Sequence, residues 1–180
     1  MIRLRMKRCE WLKYSGLLSI ILLVLTISCA TQQNLRGESP DNFEELKALV
    51  NSGDYEIENQ WAVPLNGSMI DLIGNTNRIR FEADSIKIYL PYFGVKHSGV
   101  DYGGRDGGIK YEGTVEDLDI QEDPVKERIN IEFKVSKDNE SFDFRIVLFS
   151  NGNANTSVNS SARNSISYRG IVRSLPENKK

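Results

Sequence analysis

From Tyr55 to Val172 the chain alternates apolar and polar residues again and again. A period of two belongs to β-strands with one face buried. Tyr55, Ile57 and Asn59 alternate with Glu56, Glu58 and Gln60, leading into Trp61-Ala62-Val63-Pro64. Ile79, Phe81 and Ala83 share one face, and Ile86, Ile88 and Leu90 resume it after Asp84-Ser85. Further runs are Ile109 to Val115, Ile129 to Val135, Phe142 to Leu148, Ala154 to Val158 and Ile166 to Val172. Asp138-Asn139 and Asn151-Gly152 punctuate them. Asn151-Gly152 is the strongest hairpin signal, with positive φ expected at both residues. About eight strands joined mostly by short turns read as an all-β antiparallel meander. A meander that long must curl or pack on itself, which leaves a barrel or a two-sheet sandwich.

One short helix precedes the strands. Ser39-Pro40-Asp41-Asn42 offers caps, Phe43, Leu46, Leu49 and Val50 recur at helical spacing, and Gly53 stops the run. Ahead of it, residues 29–42 are polar and read as a flexible tether, so the β domain spans 43–180.

Residues 1–28 read as a secretory signal. Arg3, Arg5, Lys7, Arg8 and Lys13 precede an apolar run from Leu17 to Ile27, then Ser28 and Cys29. That run is short of the roughly 20 apolar residues a spanning helix needs. Thr26-Ile27-Ser28-Cys29 resembles a lipobox, where bacteria attach diacylglycerol to the cysteine and cleave before it. It departs from the usual form at Thr26, where Leu is common. Lipidation is therefore expected on Cys29, and two or three acyl chains give lasting membrane attachment. No Asp follows the cysteine and no early acidic cluster appears. By resemblance to known sorting signals, this points to the outer membrane, facing the periplasm.

Composition narrows the partners. Five of the 23 basic and one of the 25 acidic residues leave with the signal, so the remaining 152 residues carry a net charge of −6. An acidic body lacks the basic footprint of a nucleic-acid binder. Cys9 leaves with the signal and Cys29 takes lipid, so no disulfide and no Cys/His zinc site is expected. No cofactor is implied.

Three stretches carry a family resemblance: Ile88-Tyr89-Leu90-Pro91-Tyr92-Phe93-Gly94, Gly108-Ile109-Lys110-Tyr111, and the tail from Gly152 to Gly170 with Ser165-Ile166-Ser167-Tyr168-Arg169-Gly170. Together they resemble an uncharacterised lipoprotein family of Bacteroidota, domain of unknown function 4251. The resemblance implies a source phylum and an envelope location, and it brings no activity and no functional residues.

Candidate chemistry is sparse. His97 is the only histidine, and Ser98 beside it sits in nothing like a nucleophile elbow. Gly103-Gly104-Arg105-Asp106-Gly107-Gly108 leads into a strand rather than a helix, so it reads as a loop and not a phosphate cradle. Asp117, Asp119, Glu122 and Asp123 lack EF-hand spacing and read as a solvated acidic turn. Asp84-Ser85-Ile86 resembles the three-residue acceptor for O-glycosylation in Bacteroidota, with Ser85 as the acceptor; a plain turn is the competing reading.

The boldest candidate is the stretch Pro91 to Gly108, eighteen residues without a strand pattern. Loops beyond about 12–15 residues in a compact domain are usually functional or disordered. Tyr92, Phe93, Tyr102 and Arg105 are contact-forming types. Tyr92 and Phe93 could equally plug one end of the core. The expected function is a non-catalytic, lipid-anchored envelope protein that binds a small ligand or supports an assembly. The alternatives are a protein-interaction partner in an outer-membrane complex and, last, a hydrolase.

Overall fold

Asn42 starts the helix, and the capping is reciprocal. Its side-chain oxygen accepts the Glu45 N–H at 2.9 Å, and the Glu45 carboxylate accepts the Asp41 N–H at 3.0 Å. Helix α1 (Phe43–Ser52) buries Leu46 and Val50 and ends at Gly53, whose φ of 74° is left-handed. These observations come from a computed structural model, which describes residues 37–83, 85–97 and 107–176.

Ten strands follow: β1 (Asp54–Pro64), β2 (Ile70–Asp71), β3 (Arg78–Glu82), β4 (Ser85–Leu90), β5 (Ile109–Gly113), β6 (Glu116–Asp123), β7 (Arg128–Lys137), β8 (Glu140–Phe149), β9 (Asn153–Ser160) and β10 (Ile166–Ser174). All belong to one sheet in the order β5-β4-β3-β1-β10-β9-β8-β7-β6, with β2 paired beside β1. The pairs are antiparallel, and the first long strand lies against the last. The fold is thus the expected all-β meander, as a single curled sheet rather than two.

The expected eight strands become ten. β2 has two residues, too short to show a period. β6 takes the acidic stretch read as a turn; Asp117, Asp119, Glu122 and Asp123 all lie in it. Only Leu118 and Ile120 mark a period in it, too short a run to read as a strand, and none of its side chains is buried. A strand held at an edge by its ladder alone needs no apolar face.

The curl follows from chain connectivity. β5 and β6 are the two edges of the sheet, yet only Thr114 and Val115 separate them. Two residues reach about 10 Å at most. Flat, nine strands would hold the edges about 38 Å apart. The sheet therefore bends until its edges meet, and the ammonium of Lys137 at the end of β7 donates to the Lys110 carbonyl of β5 at 3.0 Å. Inside, Tyr55 stacks on Phe81 at 4.5 Å, Phe81 meets Phe133 edge-on at 5.9 Å, and Phe133 stacks on Phe144 at 4.8 Å. The Phe81–Phe133 contact joins β3 to β7 straight across the interior.

Tight bending needs glycine at one place above all. β1 shifts register between Asn59 and Trp61 opposite Gly170. A Cβ on Gly170 would lie 2.2 Å from the Glu58 carbonyl oxygen.

The turns differ from expectation in one respect. Gly152 has a φ of 76°, but Asn151 does not enter the positive region. The β8–β9 loop has three residues, Ser150 to Gly152, and Gly152 donates to the Phe149 carbonyl at 2.9 Å. That is a type I turn closed by a left-handed glycine, in which only the last position needs positive φ. The turn with two left-handed residues lies between β7 and β8, at Asp138 (φ 51°) and Asn139 (φ 63°).

Residues at the end of the expected tether are pinned to the sheet. Glu38 exchanges hydrogen bonds with Ser174, and Ser39 Oγ donates to the Val172 carbonyl at 3.0 Å. This contact sits against the Gly152 turn, where an added Cβ would fall 2.0 Å from Ser39 Oγ. Gly152→Val should cost about 1–3 kcal/mol through backbone strain. Gly170→Ala should cost more, because its clash is with fixed backbone. Urea unfolding ranks the two, and a harmless Gly170→Ala would contradict the packing described.

Candidate functional site

The strand register divides the domain into two ends. Tyr55 and Ser174 pair near helix α1, and Pro64 and Ile166 pair at the far end. The far end gathers the β4–β5 connection, the β7–β8 turn and the β9–β10 connection. One guanidinium organises it.

Arg163 follows β9. Its Nε and Nη2 donate to the two oxygens of Glu140 at 2.7 and 2.9 Å, a bidentate pair. Its Nη1 donates to the Gly107 carbonyl at 2.6 Å. The guanidinium lies 5.1 Å from the Tyr92 ring centre and 5.5 Å from that of Phe142. Both charged side chains are only 10% exposed. Glu140 also accepts a short hydrogen bond from the Ser160 hydroxyl. Burial pulls the Glu140 carboxyl up, but the Arg163 guanidinium and the Ser160 hydroxyl outweigh it and hold it below the ordinary value.

The start of the eighteen-residue stretch is tied to the same hub. Tyr92 Oη lies within donating distance of the Asn164 carbonyl at 3.0 Å and the Val95 carbonyl at 3.2 Å. Tyr168 Oη donates to the Pro91 carbonyl at 2.8 Å. The backbone of Lys96 bridges to Arg163, His97 donates to the Ala162 carbonyl at 2.7 Å, and the His97 ring meets the Asn164 side chain. Gly94 lets Tyr92 fold back, since a Cβ there would lie 2.5 Å from Tyr92 Oη.

The sequence candidates separate accordingly. Tyr92 is a half-buried structural member packed against the core, the plug that the sequence allowed. Phe93 is 36% exposed. His97 is exposed. Ser85 opens β4, half-buried, with its hydroxyl donating to the Glu82 carbonyl at 3.3 Å. Cys29, Tyr102 and Arg105 lie outside the described residues. Among the described residues, no group of three or more His, Cys, Asp or Glu could hold a metal ion.

Glu140 and Arg163 were missed from sequence, although Glu140 left a signal. It shares its inward parity with Phe142, Phe144, Ile146 and Leu148. A carboxylate at such a position requires a buried partner. Nothing near Arg163 in the sequence marks it as that partner.

The family model for the domain of unknown function DUF4251 matches residues 38–172. The chain belongs to the DUF4251 family. The match begins at Glu38, the first residue bonded to β10. The crystal structure of a DUF4251 family protein from Bacteroides eggerthii DSM 20697 is similar, with a TM-score of 0.57 and 20% identity. The similarity covers 76% of this chain and 90% of that one, and it shows a shared fold. No curated protein matches the chain.

Within this DUF4251 domain the hub yields a sharp expectation. Arg163→Met leaves Glu140 buried and unpaired, which should cost about 3–5 kcal/mol at neutral pH. Because the folded carboxyl titrates below its unfolded value near 4.5, the pair's contribution is present above that value and is lost as pH falls through the lower folded one. The gap between parent and variant in urea unfolding should therefore narrow below about pH 4.5. A gap that stays constant from neutral to acid pH would contradict this account of the pair.

Proposed function

We propose that this DUF4251 protein is a lipid-anchored envelope protein, held on the outer membrane by Cys29 and facing the periplasm, that works by binding rather than by catalysis. The observation that carries the reading is the polarity of the fold. The chain enters the domain at Glu38, beside the end of β10 and the capped, helix-covered end. Eight steps along the chain separate Cys29 from Gly37, a reach of at most about 28 Å. An anchored domain would thus keep its helix end near the bilayer and present the Arg163 end outward. Among the described residues no helix is long and apolar enough to cross a membrane.

Two further features support binding over chemistry. Large apolar and aromatic side chains fill the inner face of the sheet, including Tyr55, Ile57, Phe144, Ile146 and Tyr168. Recognition then falls to the outside of the sheet and its loops, for a small ligand or for a protein of an envelope assembly. A hydrolase that works with carboxylates would set two of them close together and buried in a cleft. Here the buried carboxylate Glu140 is paired with Arg163.

Expressed in its native host, the protein should label with a palmitate analogue and partition with membranes. Cys29→Ser should abolish labelling and release the protein to the soluble fraction. Labelling that persists in the variant would remove the anchor from the reading.

A further inference from the structure

The outer face of β1, β10, β9 and β8 carries a groove of about 460 Å³. A β-bulge builds it. Asn59 stands opposite Gly170 and Trp61 opposite Arg169, so Gln60 has no partner on β10. In a regular strand two successive side chains take opposite faces. Here Gln60 and Trp61 both line the groove, with the buried residues Ala154 and Gly170 at its base. Register sets the rest of the wall. Trp61, Arg169 and Asn155 stand side by side on β1, β10 and β9, and Asn153 lies two residues away on β9. Phe149 and Asn151 close the groove at the β8–β9 turn.

The polar side chains of this groove are not spent on the protein itself. Among the described residues, the other arginines each meet a carboxylate: Arg78 and Arg80 meet Glu56, Arg128 meets Asp123, Arg145 meets Glu132, Arg163 meets Glu140 and Arg173 meets Glu58. Arg169 is exposed and meets none among them. The side-chain amides of Gln60, Asn153 and Asn155 have no partner among the described residues either. The Asn151 amide oxygen accepts the Asn153 N–H at 3.2 Å, and its NH2 is unengaged. The groove thus offers four amides and one guanidinium, with no carboxylate in its lining. Trp61 and Phe149, both half-buried, supply aromatic surface at its two sides.

We propose that this groove binds a short neutral oligosaccharide. The inference deepens the binding reading above and rests on it, but not on the anchor. A side-chain amide both donates and accepts, and so does a sugar hydroxyl. A carboxylate or phosphate would use only the N–H halves of the four amides and face their carbonyl oxygens. An ammonium would use only those oxygens and meet the Arg169 guanidinium. A wholly apolar ligand would strip the amides of water without replacing their hydrogen bonds. Sugar rings satisfy both chemistries, with hydroxyls at the rim for the amides and C–H faces for the aromatic side chains. Trp61 and Phe149 stand three strand spacings apart, about 14 Å, too far for one ring and suited to a chain of them. Arg169, beside Trp61, presents a planar fork of N–H donors to neighbouring hydroxyls. A chain of net charge −2 also works against a polyanion. The volume lies within the range of small-ligand sites, about 300–1,000 Å³.

Isothermal titration on the full-length chain, in a detergent without a sugar headgroup, tests the proposal. The probes are maltotriose, cellotriose, mannotriose and chitotriose as neutral sugars, trigalacturonate as an acidic one, and a thymidine trinucleotide. At least one neutral trisaccharide should bind, with little dependence on salt. In a chain carrying Trp11→Phe, Trp61 is the one tryptophan, and its emission should change as that sugar binds. Asn153→Ala with Asn155→Ala, both exposed positions, should weaken binding by about tenfold or more without changing Tm. Trp61→Ala should weaken it as much; should that variant lose stability, the asparagine pair decides. Lys126→Gln, on the β6–β7 turn outside the groove, should leave binding unchanged. The proposal is overturned if no neutral trisaccharide binds, if Trp61 emission stays constant during binding, or if the groove variants bind like the parent. Tighter binding of trigalacturonate or the trinucleotide, lost in the groove variants, would keep the binding reading and end the neutral-sugar one. None of these results touches Cys29 labelling, so the anchor and the groove fail separately.

Discussion

Everything in this fold depends on closing a long meander with two residues. Thr114 and Val115 join the edge strands of the sheet, so the sheet has to bend until those edges meet. The Phe81–Phe133 contact at 5.9 Å is the interior sign of that bend, since β3 and β7 are five strand spacings apart along the sheet. The Lys137–Lys110 contact is its exterior sign. Gly170 and the bulge opposite it let β10 and β1 approach closely where the curvature demands it.

Curling creates two unlike ends from one sheet. Helix α1, Ser39 and the Gly152 turn crowd one of them, and the chain enters there. At the other, the Arg163–Glu140 pair clamps both described stems of the β4–β5 connection, through the Tyr92 ring on one side and the Gly107 carbonyl on the other. A buried pair of this kind contributes more to specifying an arrangement than to net stability.

Much of the architecture was legible because burial on one face leaves a period of two. The helix, its Asn42 cap and its Gly53 stop were readable from local chemistry. β6 was not, because Leu118 and Ile120 are its only apolar residues, too few to set a period, and neither is buried. Asn151 was misassigned for a different reason. Asn-Gly suits two turn types, and loop length, set by the β8–β9 register, decides between them. The site was less legible than the fold. Glu140 could have been found by its inward parity, but Arg163 sits in the β9–β10 connection, where no periodicity marks it as the partner.

The most direct test of the account is a distance across the seam. Spin labels at Lys110→Cys and Lys137→Cys, in a chain with Cys9 and Cys29 replaced by serine, report it by pulsed electron resonance. In an open sheet β5 and β7 lie seven spacings apart, about 34 Å. The curled sheet predicts a distribution centred far below that, as befits two residues whose side chain and carbonyl touch at 3.0 Å. A distribution centred near the open-sheet distance would contradict the closure from which both ends are derived.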